Sequence, residues 1–226
     1  MLHNTESLFG TKLSATDGEI GRVEDFYFDD QTWAARYLVL ETGNWLTGRK
    51  VLLPSDAFDD DPFPDSGHLS INLSRKQIED SPPITEHQTV SRQYEEQFYN
   101  HYGWPGYWQG GGMWDATLTP VVMLPPIESQ AAPAEEDVHL RSMEEMIGYH
   151  IHATDGEIGS VRGFMIDDRT WSIQEIAVES GHWYAGKLIY LLTEDIIRIS
   201  YTDSSVFVNH TMEDIRQTAE NHIVHL

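Results

Sequence analysis

Apolar and polar residues alternate in short runs along most of the chain, and turn-forming residues separate the runs. Residues 19–28 break strict alternation once, which predicts a strand with a β-bulge near Glu24 and Asp25. Three more strands are predicted in the same part of the chain, at residues 33–40, 50–53 and 69–73. Closely spaced short strands joined by tight turns favour a small closed β-barrel.

The whole pattern occurs twice, at a constant offset of 138 residues. The sequence ATDGEIG begins at Ala15 and again at Ala153, and 18 of the 39 positions in residues 10–48 are identical in residues 148–186. Constant spacing over that length requires the same fold in both copies, so it indicates two tandem domains. Strands are predicted in the second copy at residues 158–166, 172–178, 188–191 and 206–208. A capped helix is predicted to end each copy, with the caps Ser74–Gln77 and Thr211–Asp214.

A middle segment belongs to neither copy. The sequence therefore predicts a first repeat over residues 1–80, an insert over 81–142 and a second repeat over 143–226. Apolar residues recur every four positions between residues 89 and 102, which predicts a helix that Gly103 ends. A glycine- and aromatic-rich stretch follows, and then a polar linker of Ala, Pro and Glu.

The formal net charge of −23 limits the classes of partner, because the acidity is spread over both repeats and the insert. Nucleic-acid binding depends on cation–phosphate contacts, so neither nucleic acids nor anionic membranes are expected partners. No cysteine is present, which excludes disulfides and thiolate chemistry. No basic and apolar leader and no apolar run of about 18 residues occurs, so the sequence predicts a cytoplasmic protein without a membrane span.

A pattern of glycines and aspartates runs through the first copy at Gly10, residues 17–23, Asp29-Asp30, Gly43 and residues 48–54, and the second copy repeats most of it. This pattern resembles that of the PRC-barrel family. That family includes the cytoplasmic domain of the photosynthetic reaction-centre H subunit and the C-terminal domain of ribosome-maturation factors. The resemblance implies a mainly β protein with two tandem PRC-like β-barrels, each with a short C-terminal helix, joined by an aromatic-rich, partly helical insert. It also implies a docking role, since the family shares no common catalytic residues.

The acidic residues that stand out in the sequence are predicted to be structural. Asp29-Asp30 and Asp167-Asp168 could be metal ligands or a catalytic pair, but aspartate is a standard turn residue because it bonds its own backbone. We therefore predict turns at both pairs. No spacing of serine, histidine and acid indicates a nucleophile, and the glycine-rich stretch lacks the lysine of a phosphate loop. The sequence predicts no catalysis.

Three histidines of the second copy are the candidate metal ligands. His150 and His152 share one face of a strand, and His182 lies in a following turn, so the three imidazoles could converge on zinc or nickel. The first copy has Lys12, Ser14 and Asn44 at those positions. We expect neither a metal nor a cofactor.

Aromatic residues of the insert are the candidate interaction site. They are too numerous to leave exposed on a soluble monomer. The residues are Tyr94, Phe98, Tyr102, Trp104, Tyr107, Trp108 and Trp114. They either pack back onto the two barrels, or form a protein–protein interface rich in Trp and Tyr, or stack on a sugar or other ligand.

We therefore expect a non-catalytic scaffold that assembles with itself or with another protein, through the aromatic insert and the barrel surfaces. Two alternatives remain at this point: a stress-related protein that binds a metal or small ligand, and an adaptor like the ribosome-maturation factors. The high negative charge and the lack of that family's N-terminal partner domain weigh against the adaptor.

Overall fold

The computed structural model describes residues 1–43, 46, 48–58, 68–81, 95, 99–103 and 140–223. The fold is mainly β and contains two sheets, as the sequence predicts. The hydrogen-bonded strand order of each sheet does not close on itself among these residues. No helix within this part of the chain is both long and apolar enough to cross a membrane.

The first sheet has six strands. In chain order they are β2 (Lys12–Ala15), β3 (Gly18–Asp29), β4 (Ala34–Glu41), β5 (Lys50–Pro54), β6 (His68–Ser70) and β7 (Leu140–Ser142). The spatial order is β5-β4-β3-β2-β6, and β7 also pairs with β3. The predicted bulge is confirmed, because the β3–β4 register shifts between Val23 and Asp25.

The second sheet has seven strands. They are β1 (Leu2–Asn4), β8 (His150–Ala153), β9 (Gly156–Asp167), β10 (Ile173–Ser180), β11 (Leu188–Leu192), β12 (Ile196–Ser200) and β13 (Ser205–Val208). The spatial order is β11-β10-β9-β8-β13-β12, and β1 also pairs with β9. The order β5-β4-β3 in the first repeat is therefore repeated as β11-β10-β9 in the second.

Short helices follow the strands. They are α1 (Thr5–Leu8), α2 (Arg75–Glu79), α3 (Met143–Met146) and α4 (Met212–Ile223). Both predicted caps are confirmed: Ser74 and Gln77 form a capping box at α2, and the Thr211 hydroxyl accepts from the Asp214 amide at α4. In the insert, residues 95 and 99–102 are helical.

A glycine near the start of each long strand allows two backbones to approach closely. Gly21 has φ +151°, and a Cβ there would overlap the carbonyl oxygen of Glu41. Gly159 has φ +152° and the same relation to the Glu179 carbonyl. The shared glycines of the repeat are thus required by backbone geometry rather than by chemistry.

Each repeat gives its leading segment to the other repeat. Strand β1 pairs with β9, and β7 pairs with β3, so the two arms (residues 2–8 and 140–146) are exchanged. The two pairings are equivalent at the offset of 138 residues: Asn4 faces Met165, and Ser142 faces Tyr27. The predicted boundaries at residues 80 and 142 take no account of this exchange.

A pseudo-two-fold axis passes through the contact between the repeats. Ala34 forms a β-bridge with Ser172, its counterpart in the other copy. On either side, the Ala35 amide donates to the Trp171 carbonyl at 2.8 Å, and the Ile173 amide donates to the Trp33 carbonyl at 2.7 Å. Both tryptophans adopt the left-handed conformation, with φ of 54° and 56°. One hydrophobic core continues across this contact, where the Phe28 and Phe164 rings lie 5.8 Å apart.

Candidate interaction surface

The first aspartate of each Asp-Asp pair forms a turn, as predicted. The Asp29 carboxylate accepts from the amides of Gln31 and Thr32 at 2.9 and 3.1 Å. The Asp167 carboxylate likewise accepts from the amides of Arg169 and Thr170, and the Thr170 bond is the main cause that lowers its pKa. These carboxylates satisfy local backbone donors.

The second aspartate of each pair anchors the arm that the other repeat contributes. Asp30 accepts from Arg141 Nε at 3.3 Å and from the Tyr201 hydroxyl at 2.6 Å. Asp168 accepts from the Met1 ammonium at 2.6 Å and lies 3.1 Å from His3 Nε2. His3 and Arg141 are counterparts at the 138-residue offset. This role is not predictable from the sequence, because the pairing of the arms is not visible in local patterns.

One buried carboxyl makes the two arm junctions chemically different. Asp25 is 5% exposed and accepts from the Ser142 hydroxyl at 2.5 Å and from the Glu144 amide at 2.9 Å. Burial raises the pKa of Asp25 to about 7, although these hydrogen bonds act in the opposite direction. Its counterpart is Gly163, where a Cβ would lie 2.9 Å from Asn4 Oδ1. At this position the second junction therefore has the neutral side chains of Asn4 and Thr5 in place of a buried carboxyl.

A tyrosine of the insert covers the outer face of the first sheet. A second hydrophobic cluster forms there, separate from the main core, and consists of Tyr37, Val39, Leu52, Tyr99 and Leu140. The Tyr99 ring packs edge-on against Tyr37 at 6.5 Å, and the Tyr37 hydroxyl donates to Glu95 at 3.0 Å. Burial is the main cause that raises the pKa of Tyr99. Leu52, at the centre of this face, is 1% exposed.

The same face of the second sheet is open. At the position of Leu52 stands Tyr190, which is 40% exposed, with Leu188 and Leu192 beside it at 47% and 43%. Leu2, the counterpart of Leu140, is 42% exposed. We call the three residues Leu188, Tyr190 and Leu192 the open face. They alternate with the buried Ile189 and Leu191 of the same strand. Sequence reasoning missed the open face, because a run of apolar residues does not show which side is covered.

Of the predicted interaction residues, the structure describes Tyr102. Its side chain is partly buried against the first repeat, and its hydroxyl donates to the Gln77 carbonyl at 3.3 Å. Burial raises the pKa of Tyr102. Tyr94, Phe98, Trp104, Tyr107, Trp108 and Trp114 lie outside the described residues. Their role in assembly stays a prediction.

The three candidate metal ligands have separate surroundings. His150 Nδ1 lies 2.9 Å from Glu157 Oε1, and the His152 ring stacks on Phe207 at 5.2 Å. His182 is exposed in a short 3₁₀ turn. Across the part of the chain that the structure describes, no three His or acidic side chains come together as a metal site would need.

A shallow groove of about 470 Å³ lies between α2 and the β3–β4 strands, and its arginines are engaged by the chain itself. The Arg75 guanidinium donates to the Glu19 carbonyl and the Arg22 guanidinium to the Gly10 carbonyl, both at 2.6 Å. Glu41 adds a negative charge to the lining. These contacts indicate a structural role for the arginines and not an anion-binding site.

The comparisons with known proteins agree with the fold. Residues 5–67 match the family model described as the PRC-barrel domain. A search of curated proteins gives no match to the chain. The matched range begins with α1, includes β2 to β5 and contains the glycine turns and the Asp-Asp corner of the first copy. The first repeat of this chain is therefore a PRC-barrel domain.

Proposed function

We propose that this protein is a non-catalytic assembly module that makes protein–protein contacts through the open face of its second repeat. The observation that carries the proposal is the contrast between two equivalent faces. In the first repeat the central Leu52 is covered, whereas Tyr190 at the same position is 40% exposed. Aromatic and large aliphatic side chains in one exposed patch are typical of protein-binding surfaces.

The hydrogen bonds of the conspicuous polar side chains support a structural role for these residues. The conspicuous aspartates form turns and hold the exchanged arms, as Asp29 and Asp30 do. The arginines of the groove are bonded to backbone carbonyls. These groups stabilise turns, the exchanged arms and the first repeat, whereas the open face offers apolar side chains to a partner.

Self-assembly is the first form of this function to test. We expect light scattering during size-exclusion chromatography to give a mass above that of the 25.8 kDa chain. Tyr190→Lys places a charge at the centre of the open face and should return the protein to the monomer. Ile197→Lys is the matched control, since Ile197 is 63% exposed on β12 at the other end of the same sheet.

The control variant should assemble like the wild type. If the wild-type chain is a monomer at every concentration, the proposal is wrong. It is also wrong if both lysine variants assemble as well as the wild type, since the open face would then make no contribution.

A further inference from the structure

Strand β11 lacks the sequence features, charged residues and proline, that commonly protect the edge of a sheet. It is an end strand of the second sheet, and its sequence LIYLL contains neither charge nor proline. The equivalent strand β5 reads KVLLP, with Lys50 bonded to Glu24 at 2.7 Å and Pro54 at its end. Charged residues, especially lysine, and proline are the common means of preventing strands from pairing with another chain. The second copy has neither at the equivalent positions.

The outward backbone groups of β11 belong to the residues of the open face. The Ser180 amide donates to the Lys187 carbonyl at 2.9 Å, and β10 and β11 then pair without a register shift. In an antiparallel ladder, hydrogen-bonded residues alternate, so Ile189 and Leu191 bond to β10. The amides and carbonyls of Leu188, Tyr190 and Leu192 therefore point away from the sheet, towards the position of a further strand.

Charges at the two ends of β11 have opposite sign. Lys187 precedes the strand and Glu194 follows it, and both are exposed. If two β11 strands pair antiparallel, the lysine end of each lies beside the acidic end of the other. A parallel pair would place like charges together, which is unfavourable.

On the basis of the assembly proposed above, we infer that β11 pairs with β11 of a second copy, antiparallel about a two-fold axis at Tyr190. Each Tyr190 then faces the partner's Tyr190, and each Leu188 faces the partner's Leu192. This register keeps the open faces of both copies on one side, because side chains alternate with period two. A shift by one residue would place buried and exposed residues opposite each other.

The pairing satisfies the outward backbone groups and brings the apolar side chains of the two open faces into cross-strand contact. An extended strand that adds to an exposed sheet edge gains affinity from the main chain and specificity from alternate side chains. The partner strand has the same apolar pattern as the edge it joins, as a symmetric interface requires. Since the whole chain carries a charge of −23, added salt should strengthen the dimer by screening the long-range repulsion.

Disulfide formation between single cysteines tests the register, because the natural chain contains no cysteine. Tyr190→Cys should give a covalent dimer on mild oxidation, since the introduced thiol of one chain faces the thiol at the same position of the second chain. Neither Leu188→Cys alone nor Leu192→Cys alone should give a covalent dimer. Each cysteine would lie four residues, or about 13 Å along the strand, from the identical cysteine of the second chain. A mixture of the Leu188→Cys and Leu192→Cys chains should give the covalent dimer.

The outcomes separate the two proposals. Crosslinking of Tyr190→Cys, and of the other two variants only when they are mixed, supports the antiparallel pair. If light scattering shows an assembly but Tyr190→Cys does not crosslink, or Leu188→Cys crosslinks with itself, the β11 pairing is wrong and assembly through the open face stands. If the wild-type chain is monomeric, both proposals are wrong. Unfolding curves of the reduced variants, which alter exposed positions, verify that each chain is folded.

Discussion

The two repeats share a fold but differ at two equivalent sites, the outer face of the sheet and the arm junction. On the outer face, Tyr99 covers the first repeat, whereas Tyr190 of the second repeat is exposed. At the arm junction, the first repeat buries the Asp25 carboxyl, whereas the second has Gly163. Positions that match between the copies build the sheets and the contact between them. The positions that differ are therefore the ones to which a specific function can be assigned.

The largest predicted effect tests whether matching positions are equally structural. Phe26 and Phe164 are counterparts, and both are fully buried. We expect Phe26→Ala and Phe164→Ala each to lower the free energy of unfolding by about 3–5 kcal/mol, because each leaves a cavity in the shared core. Denaturant unfolding followed by tryptophan fluorescence measures both costs.

A single unfolding transition should persist in both variants, since the core continues across the repeats. Two separate transitions, with only one of them shifted in each variant, would show that the repeats unfold independently. A cost below about 1 kcal/mol for one variant would break the equivalence of the copies.

A smaller effect is predicted at the arm junction, where the copies differ. The pKa of Asp25 is raised from 3.8 to about 7, so the folded state favours the protonated carboxyl. Its contribution to stability is therefore present at low pH and falls as the pH rises from 3.8 through about 7. Asp25→Asn keeps an acceptor for the Glu144 amide and cannot ionise. We expect this variant to gain stability over the wild type as the pH rises, by a few kcal/mol.

Urea unfolding of both proteins across this pH range measures the difference. Ser142→Ala is a useful companion, because it removes a hydrogen bond to the carboxyl without removing the ionisable group. If the wild type gains stability over Asp25→Asn as the pH rises, the sign of the pKa shift is wrong.

The smallest effect concerns the paired arm anchors. Asp30→Ala removes the contacts with Arg141 and Tyr201, and Asp168→Ala removes those with Met1 and His3. We expect each substitution to cost about 1 kcal/mol, since the charged partners of both aspartates remain partly exposed to solvent and such ion pairs contribute little. Thermal unfolding at neutral pH compares the two, and a cost several times larger at one anchor would show that the arms do not contribute equally.

Local features of the fold were predictable from the sequence because nearby residues determine them. The bulge at Asp25, the capping box at Ser74 and the turn at Asp29 each depend on residues within a few positions. The repeat then extended these predictions to the second copy. The sequence predicted β6 as residues 69–73, whereas the strand covers His68–Ser70 and Ile71 forms only an isolated bridge with Phe58.

The exchanged arms and the open face could not be predicted in this way. Strands β1 and β7 have three residues each, too few for an alternating pattern, and their partners are more than a hundred positions away. The apolar runs of β5 and β11 do not show which face of each strand is covered. Whether an insert residue such as Tyr99 covers one of them depends on tertiary packing, which a single sequence does not encode locally.

The covalent connection of the two repeats limits how far an assembly can grow. A pair of identical, unconnected repeats would present every surface twice. An unprotected strand edge on each repeat would then allow the pairs to associate into an open filament. Here the edge strand β11 carries neither charge nor proline, whereas its counterpart β5 ends in proline and carries Lys50. Because β5 does not share this edge, the β11 pairing that we propose occupies the binding surface of both chains. The assembly would stop at two chains instead of forming a fibre.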